Sequence, residues 1–230
     1  MTKEVIILAG GLGTRLREAV PDLPKCMAPV NGKPFVDYVI KHLQNQDIQH
    51  FIFSLGYKSD AFTEYLHQTL SADTYSLVIE KEPLGTGGAI RYACGASREN
   101  QVLVVNGDSL FAADIAVLSD FHESRQADCT LTLKPMEDFD RYGVVVLNED
   151  QSIHTFQEKK YYAKGFINGG VYLLNKASFL KEELPEKFSF ETDYLQKFYS
   201  ERKFFGVIQD GYFIDIGIPG DYQKAQIDLK

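Results

Sequence analysis

The stretch Val5-Ile6-Ile7-Leu8-Ala9-Gly10-Gly11-Leu12-Gly13-Thr14-Arg15-Leu16 decides the reading of this chain. Its first five residues form a short apolar run without alternation, as expected of a strand buried on both faces of a sheet. Three glycines follow within four residues. Glycine lets the backbone approach an anion closely with free N–H groups, so this turn is a candidate phosphate loop. The plainer alternative is a tight strand-to-helix turn that binds nothing. Two familiar phosphate-loop patterns do not fit. The dinucleotide fingerprint G-x-G-x-x-G needs Gly or Ala where Leu16 stands, which disfavours a dinucleotide-dependent oxidoreductase. The G-x-x-x-x-G-K-[ST] loop has no match in the chain.

Outward from this strand, short apolar runs alternate with amphipathic stretches. The pattern predicts a helix over Pro34–Gln46, a strand over His50–Leu55, a helix over Asp60–Leu70 and a strand over Ser76–Ile79. A helix over Thr86–Cys94 and a strand over Gln101–Val105 follow. This β-α-β-α order implies a parallel sheet with helices on both faces. After about Asp128 the pattern changes to strands joined by turns, at Thr130–Lys134, Gly143–Leu147, Ser152–Gln157 and Asn168–Leu174. Helices are expected over Lys176–Glu183 and Phe190–Ser200, strands over Phe204–Ile208 and Tyr212–Ile214, and a last helix from Pro219. No linker divides the chain, so one domain over residues 1–230 is expected.

The net charge of -8 argues against a nucleic-acid-binding surface, which needs a basic footprint. Three cysteines without CxxC spacing give no support to a zinc site or a disulfide framework. The apolar run near the N-terminus is too short for a signal core or a membrane span, so a cytoplasmic location without a membrane partner is expected. None of the five histidines falls in a nucleophile–base arrangement.

Arg15 is followed by Lys25 within Leu23-Pro24-Lys25-Cys26-Met27-Ala28-Pro29-Val30-Asn31-Gly32-Lys33-Pro34. Here two cations sit among stiffening prolines beside the candidate phosphate loop. With G-G-x-G-T-R-L before it, this segment resembles the hallmark of the sugar-1-phosphate nucleotidyltransferases, P-K-x-M-x-P-V-x-G-K-P. The resemblance runs on through nearly the whole chain. Cys26 departs from it, since relatives often carry Pro there; the charges are unaffected. The fold it implies is a three-layer, Rossmann-like α/β domain with a mixed, mostly parallel central sheet. Residues 1–127 would form a nucleotide-binding half and 128–230 a sugar-phosphate-binding half. The family's longer members carry a hexapeptide-repeat domain; with 15 residues after Asp215, neither it nor a second, acetyltransferase activity is expected here.

Further motifs acquire roles through this resemblance. Leu8, Gly10, Gly11, Gly13 and Thr14 would bind the nucleotide, with Arg15 on the triphosphate tail and Lys25 neutralising charge at the reacting phosphate. Glu80-Lys81-Glu82-Pro83-Leu84-Gly85-Thr86-Gly87-Gly88-Ala89-Ile90 would wall the base pocket, Gly85 packing against the base. Glu80 has a reading of its own. A carboxylate only accepts hydrogen bonds, and guanine offers two adjacent donors that suit such a fork. A solvated glutamate at a strand end is the alternative. In Val104-Val105-Asn106-Gly107-Asp108, the acid ends an apolar run where open α/β sheets bind ligands, and Mg²⁺ is a suitable partner for it. Asp215, in Phe213-Ile214-Asp215-Ile216-Gly217-Ile218-Pro219, is implied as the second metal ligand. The alternative for each acid is a cap or turn residue. Gly143, Glu158, Lys159 and Asn168 are implied in binding the sugar phosphate, although the residues alone would make Glu158 to Lys160 a solvated strand edge.

The implied reaction is in-line attack of a sugar 1-phosphate on the α-phosphorus of a nucleoside triphosphate. Lys25, Arg15 and Asp108 would be catalytic, with Mg²⁺ on Asp108 and Asp215. The absence of a general base fits a nucleophile that is already anionic. Within the family, the Glu80–Ile90, Asp138–Gly143 and Phe213–Pro219 segments look most like guanylyltransferases acting on D-glycero-α-D-manno-heptose 1-phosphate. Mannose-1-phosphate guanylyltransferases are the nearest alternative. A non-catalytic nucleotide-sugar sensor is a more distant one, disfavoured by the intact Lys25, Asp108 and Asp215. A homo-oligomer is compatible with the sequence.

Overall fold

The computed structural model describes residues 2–11, 23–56 and 58–230. Strand β1 (Glu4–Leu8) leads past a short 3-10 turn at Lys25–Met27 to a small ribbon, β2 (Pro29–Val30) with β3 (Lys33–Pro34). Then come α1 (Phe35–Asn45), β4 (His50–Leu55), α2 (Ser59–Thr69), β5 (Tyr75–Ile79), α3 (Gly85–Ala93) and β6 (Gln101–Asn106). Strand β7 (Ser109–Phe111) and helix α4 (Ile115–Arg125) precede the long strand β8 (Cys129–Phe139). Next are β9 (Val144–Leu147), β10 (Ile153–Gln157) and the longest strand, β11 (Tyr162–Asn175). Helix α5 (Lys176–Leu180), a π-helical segment (Phe190–Leu195), α6 (Gln196–Phe198), β12 (Phe204–Ile208), β13 (Phe213–Asp215) and α7 (Pro219–Asp228) complete the chain.

The main sheet runs β10-β9-β11-β6-β1-β4-β5, with β8 pairing β11 and β12. Strands β6, β1, β4 and β5 are mutually parallel, while β11 joins β6 antiparallel. The sheet is therefore mixed, and both faces are covered, as the apolar runs require. Alternation along β1 divides the two cores. Val5 and Ile7 pack with Phe35, Val39, Phe62 and Leu66 of α1 and α2 on one face. Ile6 packs with Ile90, Phe179, Phe190 and Tyr194 on the other. This is the three-layer α/β arrangement expected.

Three departures have local causes. Helix α4 was not anticipated, because two of its four buried positions are Ser119 and His122, which breaks the apolar periodicity. The Asp114 side chain, accepting from Val117 N–H at 3.0 Å, was the available signal. Strands β8 and β11 extend well beyond Thr130–Lys134 and Asn168–Leu174. Pro135 and the Gly169–Gly170 pair weaken the strand pattern, yet a register shift between Asn168 and Tyr172 absorbs the glycines. The helix expected over Phe190–Ser200 begins as a π-helical segment, and the one expected over Lys176–Glu183 ends at Leu180.

His122 makes acid stability a test of this core. It is 2% exposed, and its Nδ1 lies 2.8 Å from Thr130 Oγ1. Burial pushes its pKa from 6.5 down to about 4, against the opposing pull of the Asp128 carboxylate. Between those values the unfolded chain binds a proton that the folded one does not. Stability is therefore full above pH 6.5, falls as pH drops toward 4, and levels off below. At about 1.4 kcal/mol per pK unit, the loss is on the order of a few kcal/mol. Urea midpoints at pH 7 and 4.5 should show it, and His122→Gln should flatten the difference. An equal pH dependence in the variant would refute the assignment.

Candidate active site

The register of the parallel strands sets the floor of the site. Leu8 lies beside Ser54 of β4 and Asn106 of β6, so the three carboxyl ends meet in one crevice. The chain runs from β1 to β4 and β5 on one side and returns to β6 on the other, which opens a crevice at that switch. A cavity of about 720 Å³ occupies it, walled by these three residues and by Gly10, Gly11, Lys25, Glu80, Gly85, Asp108 and Asp215 among others. Gly13, Thr14 and Arg15 lie outside the described residues, as does Leu16.

Lys25 sits on the 3-10 turn that Pro24 precedes. Its ammonium lies 2.6 Å from Asp108 Oδ2 and 3.3 Å from Asp215 Oδ1, with its side chain 15% exposed. Burial acts to lower its pKa, but the Asp108 and Asp215 carboxylates outweigh burial and hold it above the usual lysine value. The lysine is thus a fixed cation in the cavity wall. Two backbone features bring the acids together. Strand β13 pairs with β7, setting Asp215 opposite Ser109, and Ile216 N–H donates to the Asp108 carbonyl at 3.1 Å. Gly217 N–H then fixes Asp215 Oδ1 at 2.7 Å.

This pair suits Mg²⁺. Two carboxylates converge on one cation, the lysine ammonium, and Mg²⁺ is commonly held by one or two carboxylates plus waters and substrate phosphates. Among the described residues no group of three or more acidic, His or Cys side chains forms a closed metal cage.

Glu80 and Gly85 both line the cavity. Glu80 Oε2 accepts from Leu84 N–H at 2.9 Å and Oε1 from Ser54 Oγ at 3.5 Å, so the carboxylate also fixes the turn into α3. Its remaining lone pairs are available to a ligand. Gly85 has φ +73°, and a Cβ there would stand 2.5 Å from the Phe188 carbonyl oxygen. Its glycine is thus required by the protein's own packing, whatever base lies beside it.

The four residues expected at the sugar phosphate, Gly143, Glu158, Lys159 and Asn168, lie outside the described lining of this cavity. A Cβ on Gly143 would stand 2.5 Å from Gln157 O, so the glycine serves the approach of β9 to β10. Glu158 and Lys159 are exposed on the connection between β10 and β11. Asn168 donates to Tyr172 Oη at 2.9 Å and accepts from Gly170 N–H at 3.0 Å. A residue that sequence reasoning passed over, Glu191, does line the cavity, at the start of the π-helical segment. Its neighbours Ser189 and Asp193 form a capping pair legible in the sequence, but nothing local aims Glu191 at the crevice.

Known proteins resemble this chain along its whole length. The chain is similar to a D-glycero-alpha-D-manno-heptose 1-phosphate guanylyltransferase from Aneurinibacillus thermoaerophilus, 49% identical over 227 residues that span 99% of this chain and 98% of the relative. It is 44% identical to a protein of the same name from Campylobacter jejuni, over 98% of this chain and 99% of the relative. The fold superimposes on HddC from Yersinia pseudotuberculosis, solved in complex with GMP-PN, with a TM-score of 0.90, 36% identity and full coverage of both chains. The nucleotidyl transferase family profile matches residues 4–230. The chain, which carries Lys25, Asp108 and Asp215 around one crevice, belongs to the nucleotidyl transferase family.

Proposed function

We propose that this chain transfers the guanylyl group of GTP to D-glycero-α-D-manno-heptose 1-phosphate, forming the GDP-sugar and releasing pyrophosphate. The cluster of Lys25 between Asp108 and Asp215 in the cavity wall carries this reading. Similarity to heptose 1-phosphate guanylyltransferases along the whole chain supports the choice of base and sugar. An anionic oxygen of the sugar phosphate attacks the α-phosphorus, and the bond from that phosphorus to the bridging oxygen of the β-phosphate breaks. Because the nucleophile is already ionised, the chain need supply no base. Its work is positioning and charge neutralisation.

Lys25 offers a fixed positive charge to the phosphate oxygens. Backbone N–H groups of Gly10 and Gly11, with Gly13, Thr14 and Arg15, cradle the triphosphate. Glu80 accepts from the two adjacent guanine donors. Asp108 and Asp215 would hold Mg²⁺, which when bound neutralises charge on the phosphates. Gly143, Glu158, Lys159 and Asn168 are assigned to the sugar phosphate. The position of Asn168 supports this, since it accepts from Gly170 N–H, and Gly170 lies against Asn106 of the cavity wall.

A pyrophosphate-release panel crossing four nucleoside triphosphates with several sugar 1-phosphates tests the reading. GTP with the manno-heptose 1-phosphate should give the highest kcat/KM. Mannose 1-phosphate lacks one carbon with its hydroxyl and leaves polar groups of the site unpaired, a loss of about 10- to 100-fold. Equal values for the two sugars would remove the heptose assignment, and a preference for UTP or CTP would remove the guanine reading.

A further inference from the structure

Glu191 is an acid in a cavity that must hold two phosphorylated substrates, and no ion pair with a cation is seen for it among the described residues. Its position is nonetheless fixed. Oε2 accepts from Thr86 Oγ1 at 2.8 Å and from Ser189 Oγ at 3.1 Å, while the same Thr86 oxygen accepts from Phe190 N–H at 2.8 Å. This clasp ties the first turn of α3 to the π-helical segment and holds the carboxylate half-buried at the cavity wall. Oε1 has no hydrogen bond among the described residues. A π-helical turn, unusual in itself, often marks a functional position.

What could meet Oε1 follows from charge. A carboxylate accepts hydrogen bonds and repels phosphate, so the substrate groups it can meet are uncharged donors. Asp108 and Asp215 are matched by Lys25, and Glu80 lies at the turn that leads into α3. Glu191 instead lies toward the sheet extension. The ring of the buried Tyr172 packs edge-on against Phe190, the neighbour of Glu191, at 5.0 Å between centroids, and its hydroxyl accepts from Asn168. The acid therefore stands between the nucleotide half, through Thr86, and the half that carries Asn168. Ring hydroxyls of an acceptor sugar are the uncharged donors available there.

We infer that Glu191 is a specificity-determining residue, whose Oε1 accepts a hydrogen bond from one ring hydroxyl of the acceptor sugar. The inference rests on the proposed sugar-1-phosphate guanylyltransferase reaction. It gives a role to an acid of the cavity wall that neither the Lys25 cluster nor the base-facing Glu80 uses. It also explains why that acid is immobilised through one oxygen only.

The test pairs the protein with its substrate. The wild type is first run with GTP and the heptose 1-phosphate, then with the monodeoxy sugar 1-phosphates lacking each ring hydroxyl in turn. Should the wild type reject this substrate pair, the functional reading fails separately, and the deoxy series is built on whichever sugar it accepts. Glu191→Ala should lower kcat/KM for the sugar phosphate by about 10- to 100-fold, as expected for a lost charge-assisted bond, and change the KM for GTP less than about threefold. One deoxy sugar should cost the wild type a similar factor and cost Glu191→Ala nothing more. Glu191→Gln, which keeps size and an acceptor, should fall between the two and serves if the alanine variant is unstable. Independent, multiplicative losses for every deoxy sugar would overturn the inference, leaving Glu191 a structural clasp. A rise in the KM for GTP alone would overturn it in favour of a contact to the nucleotide.

Discussion

Lys25→Met lowers turnover by about 10²–10³, the cost of losing one transition-state donor, while the chain stays folded. Methionine preserves the length of the side chain and its packing on the 3-10 turn, and removes only the charge. That charge is held in place before substrate arrives, since the ammonium bridges Asp108 and Asp215 and burial shields it from water. A cation fixed in this way needs little reorganisation as negative charge develops on the phosphates. The KM for GTP should move less than kcat, because the base and the glycine-rich turn contribute binding elsewhere in the cavity. Steady-state kinetics beside circular dichroism checks both halves. Wild-type turnover in a folded Lys25→Met protein would remove the lysine from the mechanism.

Asp108→Asn and Asp215→Asn should each cut turnover by about 10²-fold or more and raise the Mg²⁺ concentration needed for half-maximal rate by about tenfold. Each change keeps the shape of the side chain and deletes one hard, charged oxygen donor. The fold should persist, because Lys25 retains one carboxylate partner in either variant. The backbone bond from Ile216 N–H to the Asp108 carbonyl does not involve either side chain. Measuring rate against Mg²⁺ for all three proteins, with melting temperatures beside them, separates loss of the site from loss of structure. An Asp215→Asn enzyme with the wild-type Mg²⁺ curve would mean that Asp108 acts without it.

The parallel half of the fold was legible because its signals are local. Each of β1, β4 and β6 is a short apolar run, and α1 shows Phe35, Val36, Val39, Ile40 and Leu43 on one buried face. Helix α4 hid because Ser119 and His122 take core positions that a hydrophobic count expects to be apolar. In the extension, Pro135, Gly169 and Gly170 read as strand breakers, although pairing along two long strands outweighs their local cost.

For the site, the glycine-rich turn and the lysine-bearing segment after it were read from residue types and spacing, as was the acid at the end of β6. Those features are set by neighbours in the chain, so the sequence alone suffices for them. That Asp215 belongs with Lys25, 190 residues away, depends on strand β13 finding β7, a pairing that no local pattern encodes. Glu191 reaches the same cavity only because the π-helical segment packs against α3 through Thr86. Local periodicity reports which face of an element is buried, but not which distant element buries it. The sequence therefore determined the parallel strands, the glycine-rich turn and the identity of the charged groups, whereas folding of the second half onto the first decided which of those groups share one crevice.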